Sequence, residues 1–462
     1  MNARARTLTA VLLSSLSFPL TITGASVALP GIQHDLDTPL TTAQWVVNGY
    51  NLCFAAFLAF GGSLADLLGK RRLFAAGVAV FFAGSVLCVL AGDATVLNLA
   101  RVLAGTGAAA ATATGQSILA ASFAGTARTR VFGALGAALG VGLAFGPTIS
   151  GLLVDALGWR AVFAVPAALA GVVLLLCPFL PVLPGAGRRI DWGGGALFTA
   201  ALALLIWAFV EAPALGAAHP SVIAALLALV VCGTGFVRVE KRVTDPMFDL
   251  GLLRNRRFVG YSLVAATMMG LLVPLLVYLP SYLIDVAGLD AGRAGLWMLM
   301  LTLPSVALPP VGAAVARRSP RLLSVGAITL GAAGMFALTT VGPGSTPRSL
   351  LLPLLLIGTG VGATTGVIDG LAISSAPVRQ AGAVAGLFNT GRLVTETIAL
   401  ALVGSTLAVV SGGHLAGDGF TSALHVVAVA LGCFGGVCAV AAGLLLRRPD
   451  AGRPQACRVR RW

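Results

Sequence analysis

Residues 62–72 read GSLADLLGKRR. An apolar run ends in an acid, Asp66, and a glycine, Gly69; Lys70, Arg71 and Arg72 follow, and a second apolar run begins directly after them. Glycine beside charge is a turn signal, and three adjacent cations are too costly to place in hydrocarbon. The stretch reads as a short aqueous loop between two helices that cross a membrane.

That reading extends along the chain. Of 462 residues 58% are hydrophobic and 10% charged, and the mean hydropathy is +0.96. A soluble protein of this length cannot hide so much apolar surface, which leaves an all-α polytopic membrane protein. Apolar segments fall at 8–30, 45–66, 73–92, 95–121, 131–154, 161–183, 193–210, 221–238, 258–284, 294–316, 322–342, 350–373, 383–410 and 421–446, fourteen in all. Each meets the roughly 17–25 residues a spanning helix needs, some with room for tilt. The run after MNARAR ends at Pro30. It is too long for a signal-peptide core and lacks a convincing cleavage site, so it reads as the first span.

A net charge of +14 would suggest nucleic acid in a soluble protein, but here the placement of charge excludes it. Basic loops alternate with nearly neutral ones: GKRR, then Arg128 and Arg130, Arg188 and Arg189, VRVEKR, RNRR, Arg317 with Arg318 and Arg321, Arg379, and the C-terminal arginines. With Arg4 and Arg6, one side holds 25 of the 30 Lys and Arg. The positive-inside rule makes that side, and with it both termini, cytoplasmic. Arginine outnumbers lysine 28 to 2. That fits a GC-rich bacterial genome and hence a bacterial plasma membrane.

No soluble domain is visible. Six spans (1–186) and a later six with a tail (241–462) flank a pair of helices (187–240), and basic loops sit at corresponding places in the two sixes. Two-fold construction of this kind places substrate near the midplane between the halves. Glycines concentrate within spans, as in GALGAALGVGLAFGP (133–147), where small residues let membrane helices approach closely.

GSLADLLGKRR resembles the loop signature between helices 2 and 3 of the major facilitator superfamily. The resemblance implies a gating loop of Gly62, Asp66, Gly69, Lys70 and Arg71, with Asp66 locking the halves in one conformation. LARVLAGTGAAAATATGQ carries Arg101 and resembles the helix-4 signature. GLAFGPTISG (142–151) resembles the helix-5 antiporter signature, through Gly142, Gly146, Pro147 and Gly151. AQWVVNGYNL (43–52), DWGG (191–194), PMFDLGLLRNRRF (246–258) and AGAVAGLFNTGR (381–392) resemble the fourteen-helix drug:proton antiporter branch. The implied fold is two six-helix halves plus two extra helices. The implied activity is proton-driven export of a small organic molecule by a monomer embedded in the bilayer, without cofactor. Thr21, Gln44, Trp45, Tyr50, Gln116 and Asn389 are the expected substrate-cavity residues.

The departures from that pattern matter. The branch carries an aspartate in helix 1, about nine residues before the ALP that ends it; here that place holds Thr21, which cannot titrate. Two acids stand elsewhere, Asp369 in GVIDGLA and Glu396 in RLVTETIA. At ~1.5 Å per residue, Glu396 falls near the bilayer midplane. A carboxylic acid in apolar surroundings can exchange a proton near neutral pH, and ionisable groups at membrane depth are functional candidates by default. Glu396, Asp369, Arg101 and Arg392 are therefore the proton-coupling candidates. Arg392 and Glu396, four residues apart, share a helix face and can instead neutralise each other, so both readings stay open.

Other chemistries lack their residues. The four histidines are scattered, no P-loop lysine follows the glycines, and the seven cysteines form no ligand pattern. No metal site, ATP-driven pump or membrane-embedded enzyme is expected. A proton-independent facilitator or importer of the same fold is the alternative.

Overall fold

The computed structural model describes residues 3–123, 125–182, 191–243, 250–342, 344–375, 381–411 and 417–447. Arg188, Arg189, Arg379 and the C-terminal arginines from Arg448 onward lie outside the described residues, as do the side chains of Gly62 and Asp66. Among the described residues there are only helices and turns. In chain order they are α1 (Ala3–Asp35), α2 (Leu40–Leu68), α3 (Lys70–Leu90), α4 (Ala94–Ser122), α5 (Gly125–Leu157), α6 (Ala161–Leu176), α7 (Trp192–Leu215), α8 (Pro220–Glu240) and α9 (Arg256–Asp285). There follow α10 (Ala291–Thr302), α11 (Pro304–Ala307), α12 (Pro309–Arg318), α13 (Pro320–Ala337), α14 (Pro347–Thr364), α15 (Val367–Ile373), α16 (Ala381–Val410) and α17 (Gly417–Leu445).

Each apolar segment of the sequence falls on one of these helices or on a broken series of them, although those at 73–92, 161–183, 322–342 and 421–446 extend beyond the helix end. By length and composition, twelve described helices can cross a membrane, or thirteen if the bent pair at 291–318 is one span. The expected count of fourteen is not reached by this measure. The segment 45–66 is contained in α2, 29 residues long, with Gln44, Asn48 and Asn51 among its apolar residues.

Two spans expected to be continuous are broken. Residues 294–316 form α10, α11 and α12, with a bend of 48° before Pro309. Pro304, Pro309 and Pro310 explain the interruption, because proline has no N–H to give and its ring meets the carbonyl four residues back. Residues 350–373 divide at Gly366, whose φ of +72° lies in the left-handed region that glycine enters without cost. Gly69, at φ +86°, makes the tight turn from α2 into α3 in the same way.

The helices on either side of α7 and α8 are called here a first group, α1–α6, and a last group, α9–α17; the two pack on each other, chiefly α5 on α10. Within the first, α2 and α3 lie along α4, and α1 along α5 and α6; within the last, α13 lies along α14 and α17, and α9 along α16. Lipid is as apolar as leucine, so close packing and hydrogen bonds hold such helices together. Phe18, Tyr50, Phe74 and Phe81 fill the first core. Leu271, Leu275, Leu276 and Leu279 of α9 lie at the centre of the second. A helix enclosed on every side is apolar all round, as α9 is. α7 packs on α8 and also on α2 and α16, so it touches both groups. α8 is outermost, with Leu227, Val230 and Val231 exposed.

The chain order fixes two ends of the bundle. One carries Asp35, Asp155 and Asp290, and the other carries Arg71, Arg254 and Arg321; they are called here the aspartate end and the arginine end.

Candidate functional site

Glu396 lies halfway along α16 and is 8% exposed. The local pairing that its spacing from Arg392 allows is not what forms. Arg392 Nη1 stands 3.6 Å from Asp369 Oδ2 on α15, an ion pair too long to be a hydrogen bond. Glu396 makes no ion pair among the described residues. Its carboxylate is thus buried one turn from an arginine that is already engaged.

Arg101 takes a different position. It is wholly buried on α4, its Nε donates to the Val46 carbonyl at 2.6 Å, and its guanidinium lies 4.2 Å from the Tyr50 ring centroid and 5.6 Å from that of Phe163. Two aromatic faces replace part of the water that the cation gave up. Arg101, Tyr50 and Val46 therefore come together inside the first group, in a place enclosed by α2, α4 and α6. Arg101 Nη2 and the Tyr50 hydroxyl have no hydrogen-bond partner among the described residues.

α2 presents more polar groups than the sequence reading selected. Gln44, Asn48 and Asn51 recur at helical spacing and are all buried, and among the described residues both amide atoms of Asn48 lack a partner, as do Asn51 Nδ2 and Gln44 Oε1. Thr21 Oγ1 on α1 and Ser281 Oγ on α9 are likewise buried and unpartnered among the described residues. Buried polar groups are normally bonded, which sets these atoms apart from the rest of the core. The spacing of three and four was the signal available in AQWVVNGYNL. Gln116 and Asn389 are half-buried. Trp45 points elsewhere: its Nε1 donates to Glu211 of α7 at 3.0 Å, which ties α2 to the extra helices.

The seam between the two groups is stitched toward the aspartate end. Ser26 Oγ donates to Leu276 O at 2.8 Å, linking α1 to α9, and Gln44 Nε2 to Gly404 O at 3.0 Å, linking α2 to α16. Between α5 and α10, Thr148 Oγ1 donates to Gly295 O at 2.8 Å and Thr302 Oγ1 to Ala144 O at 2.6 Å. At the rim Asp155 accepts from the backbone N–H groups of Ala291 (3.1 Å) and Gly292 (2.7 Å), the first turn of α10. A carboxylate is favoured there by both hydrogen bonding and the helix dipole.

The helix-5 motif divides its glycines between two neighbours. Gly142 and Gly146 face α1, at Leu16 and Thr23; Gly151 faces the Ala291 carbonyl of α10. Pro147 is buried, and its carbonyl lies 2.5 Å from where a Cβ on Gly295 would stand. The motif thus lets α5 meet α1 within its own group and α10 across the seam.

Asp155→Asn should loosen this rim, because one N–H then faces an amide and the charge is gone. Charge-assisted bonds contribute about 1.5–3 kcal/mol, so the closed population should fall roughly tenfold or more. A cysteine at Ala294, shielded in the parent, should then react with a membrane-impermeant maleimide in a background lacking native cysteines. Unchanged labelling would return Asp155 to a simple helix cap.

A bundle of apolar helices in two groups, a seam of hydrogen bonds at one end and a buried unpaired acid is a transporter's construction. The model of the Major Facilitator Superfamily matches residues 11–400. The chain belongs to the major facilitator superfamily. It is therefore a transporter and no enzyme. The puromycin resistance protein of Streptomyces alboniger is 34% identical over 428 residues, covering 91% of this chain and 85% of that one. A multidrug resistance protein of Mycobacterium tuberculosis is 32% identical over 390 residues, covering 83% and 72%. Among solved structures, an auto-inhibited peptide transporter of the POT family superposes with a TM-score of 0.70 at 18% identity, covering 97% of this chain and 99% of that one.

Proposed function

We propose that the protein exports a small amphipathic, antibiotic-like organic compound in exchange for protons, by alternating access. In this reading it has fourteen spans, with halves at 1–186 and 241–462 and an additional helix pair at 187–240. It works as a monomer in a bacterial plasma membrane with both termini, and so the arginine end, in the cytoplasm. The observation that carries the proposal is Glu396, an acid buried halfway along a helix that packs against both groups and in ion pair with no cation among the described residues. Relatives named for resistance to puromycin and to multiple drugs support the substrate class. The seam closed at the aspartate end supports a state open toward the arginine end. Asp66, in its loop of Gly62, Gly69, Lys70 and Arg71, is proposed to lock that opposite end.

Purified protein in vesicles tests this with puromycin as probe and an imposed pH gradient. Uphill accumulation driven by the gradient is expected. Thr21 in the place of the helix-1 acid favours a second reading, a proton-independent facilitator. Equilibration that ignores the pH gradient would establish that reading and sink the first.

A further inference from the structure

α13 and α17 leave a trough on the outer surface of the last group, far from the seam. It encloses about 830 Å³ and is open sideways, toward lipid. Its floor is made of small residues, among them Ala332, Gly436 and Ala439, and its walls of Phe336, Val440 and Leu444. Both of its charged residues, Arg321 and Arg447, lie at the arginine end, where α13 begins and α17 stops. Arg321 reaches across to α17: a Cβ on Gly443 would sit 3.9 Å from its Nη2. Neither arginine forms an ion pair among the described residues.

We infer that this trough binds a phospholipid with an anionic headgroup, its phosphate between Arg321 and Arg447 and an acyl chain along the floor. The chemistry is matched in order along the groove, cationic where the helices reach the headgroup layer and apolar below it. Long arginine side chains hold their guanidinium groups at the interface while their stems cover apolar surface. Basic pockets between membrane helices suit anionic headgroups, and lipid phosphate is the anion that surrounds the protein at this depth. The small floor residues matter equally, because they leave the volume that a chain fills.

Native mass spectrometry of the full protein, titrated with phosphatidylglycerol or phosphatidylcholine of the same acyl chains, tests the inference. The parent should retain phosphatidylglycerol preferentially. R321A/R447A should weaken that retention about thirtyfold, from the typical worth of two basic groups near a membrane surface. R321K/R447K, which keeps both charges, should restore most of it. Gly436→Phe should lower retention with both arginines intact; an added Cβ there meets open space, so the fold should tolerate it. Equal retention of the two lipids by the parent, or parental retention by R321A/R447A, would overturn the inference. So would a Gly436→Phe protein that binds as the parent does, or a dimer formed across this face that excludes lipid.

Discussion

Glu396→Gln should leave the protein folded in the membrane and remove its ability to concentrate substrate. Each proton exchanged per substrate gives about tenfold accumulation for one unit of pH gradient. The variant ratio should therefore collapse to about one, while downhill exchange of labelled substrate continues. Glutamine keeps the shape and the hydrogen-bonding capacity of the side chain, so only titration is lost. Taking the charge out of a buried, unpaired site costs nothing in stability, because an isolated buried ion is itself expensive. Asp369→Asn acts on the same site from the other side. It frees Arg392, one helical turn from Glu396, to hold that carboxylate ionised, and so should uncouple transport without touching the acid. Uphill, proton-driven accumulation that survives in Glu396→Gln, in Asp369→Asn and in the double variant would assign these charges to packing alone.

Gly151→Val should produce the second large effect, by jamming the seam. Even the first added carbon would overlap the Ala291 carbonyl, which is backbone and cannot rotate away. Overpacking of this kind typically costs 1–3 kcal/mol, and here the whole cost falls on the closed state. Closure toward the aspartate end should drop by roughly ten- to a hundredfold, and turnover with it. Protein abundance should stay near normal, since the open state carries no clash. Gly142→Val, against α1, should disturb packing within the first group and lower abundance instead. Parental turnover by Gly151→Val would show that α5 and α10 do not close on this glycine.

Much of this was legible in the sequence. Hydropathy located the helices because a span's length is set by the bilayer, and GK at 69–70 located a turn because only glycine enters the left-handed region cheaply. The break at Leu303–Leu308 was written in Pro304, Pro309 and Pro310, but an apolar average over twenty residues does not register it. The partner of Arg392 was not legible. Within one helix the only acid in reach is Glu396, and that Asp369 takes its place depends on how α15 is turned against α16, which no local pattern encodes. Arg101 stands within an apolar run of the sequence, and the structure buries it on α4. Its enclosure by Tyr50 and Phe163 depends on three helices meeting, and the same holds for Asp155 at the foot of α10.

The seam's hydrogen bonds run from side chains on one group to backbone carbonyls or N–H groups on the other. A main-chain partner cannot be deleted by changing a codon. Ser26, Gln44, Thr148, Asp155 and Thr302 can each be lost by a single substitution, whereas at Leu276, Ala144 or Ala291 nearly any side chain still offers the same atom. Mutational tolerance along the closure should therefore be lopsided, with these five side chains sensitive and the backbone positions opposite them permissive unless bulk intrudes. A transporter built this way can diversify one wall of its pathway, and with it the molecules it accepts, without having to reinvent the motion that carries them.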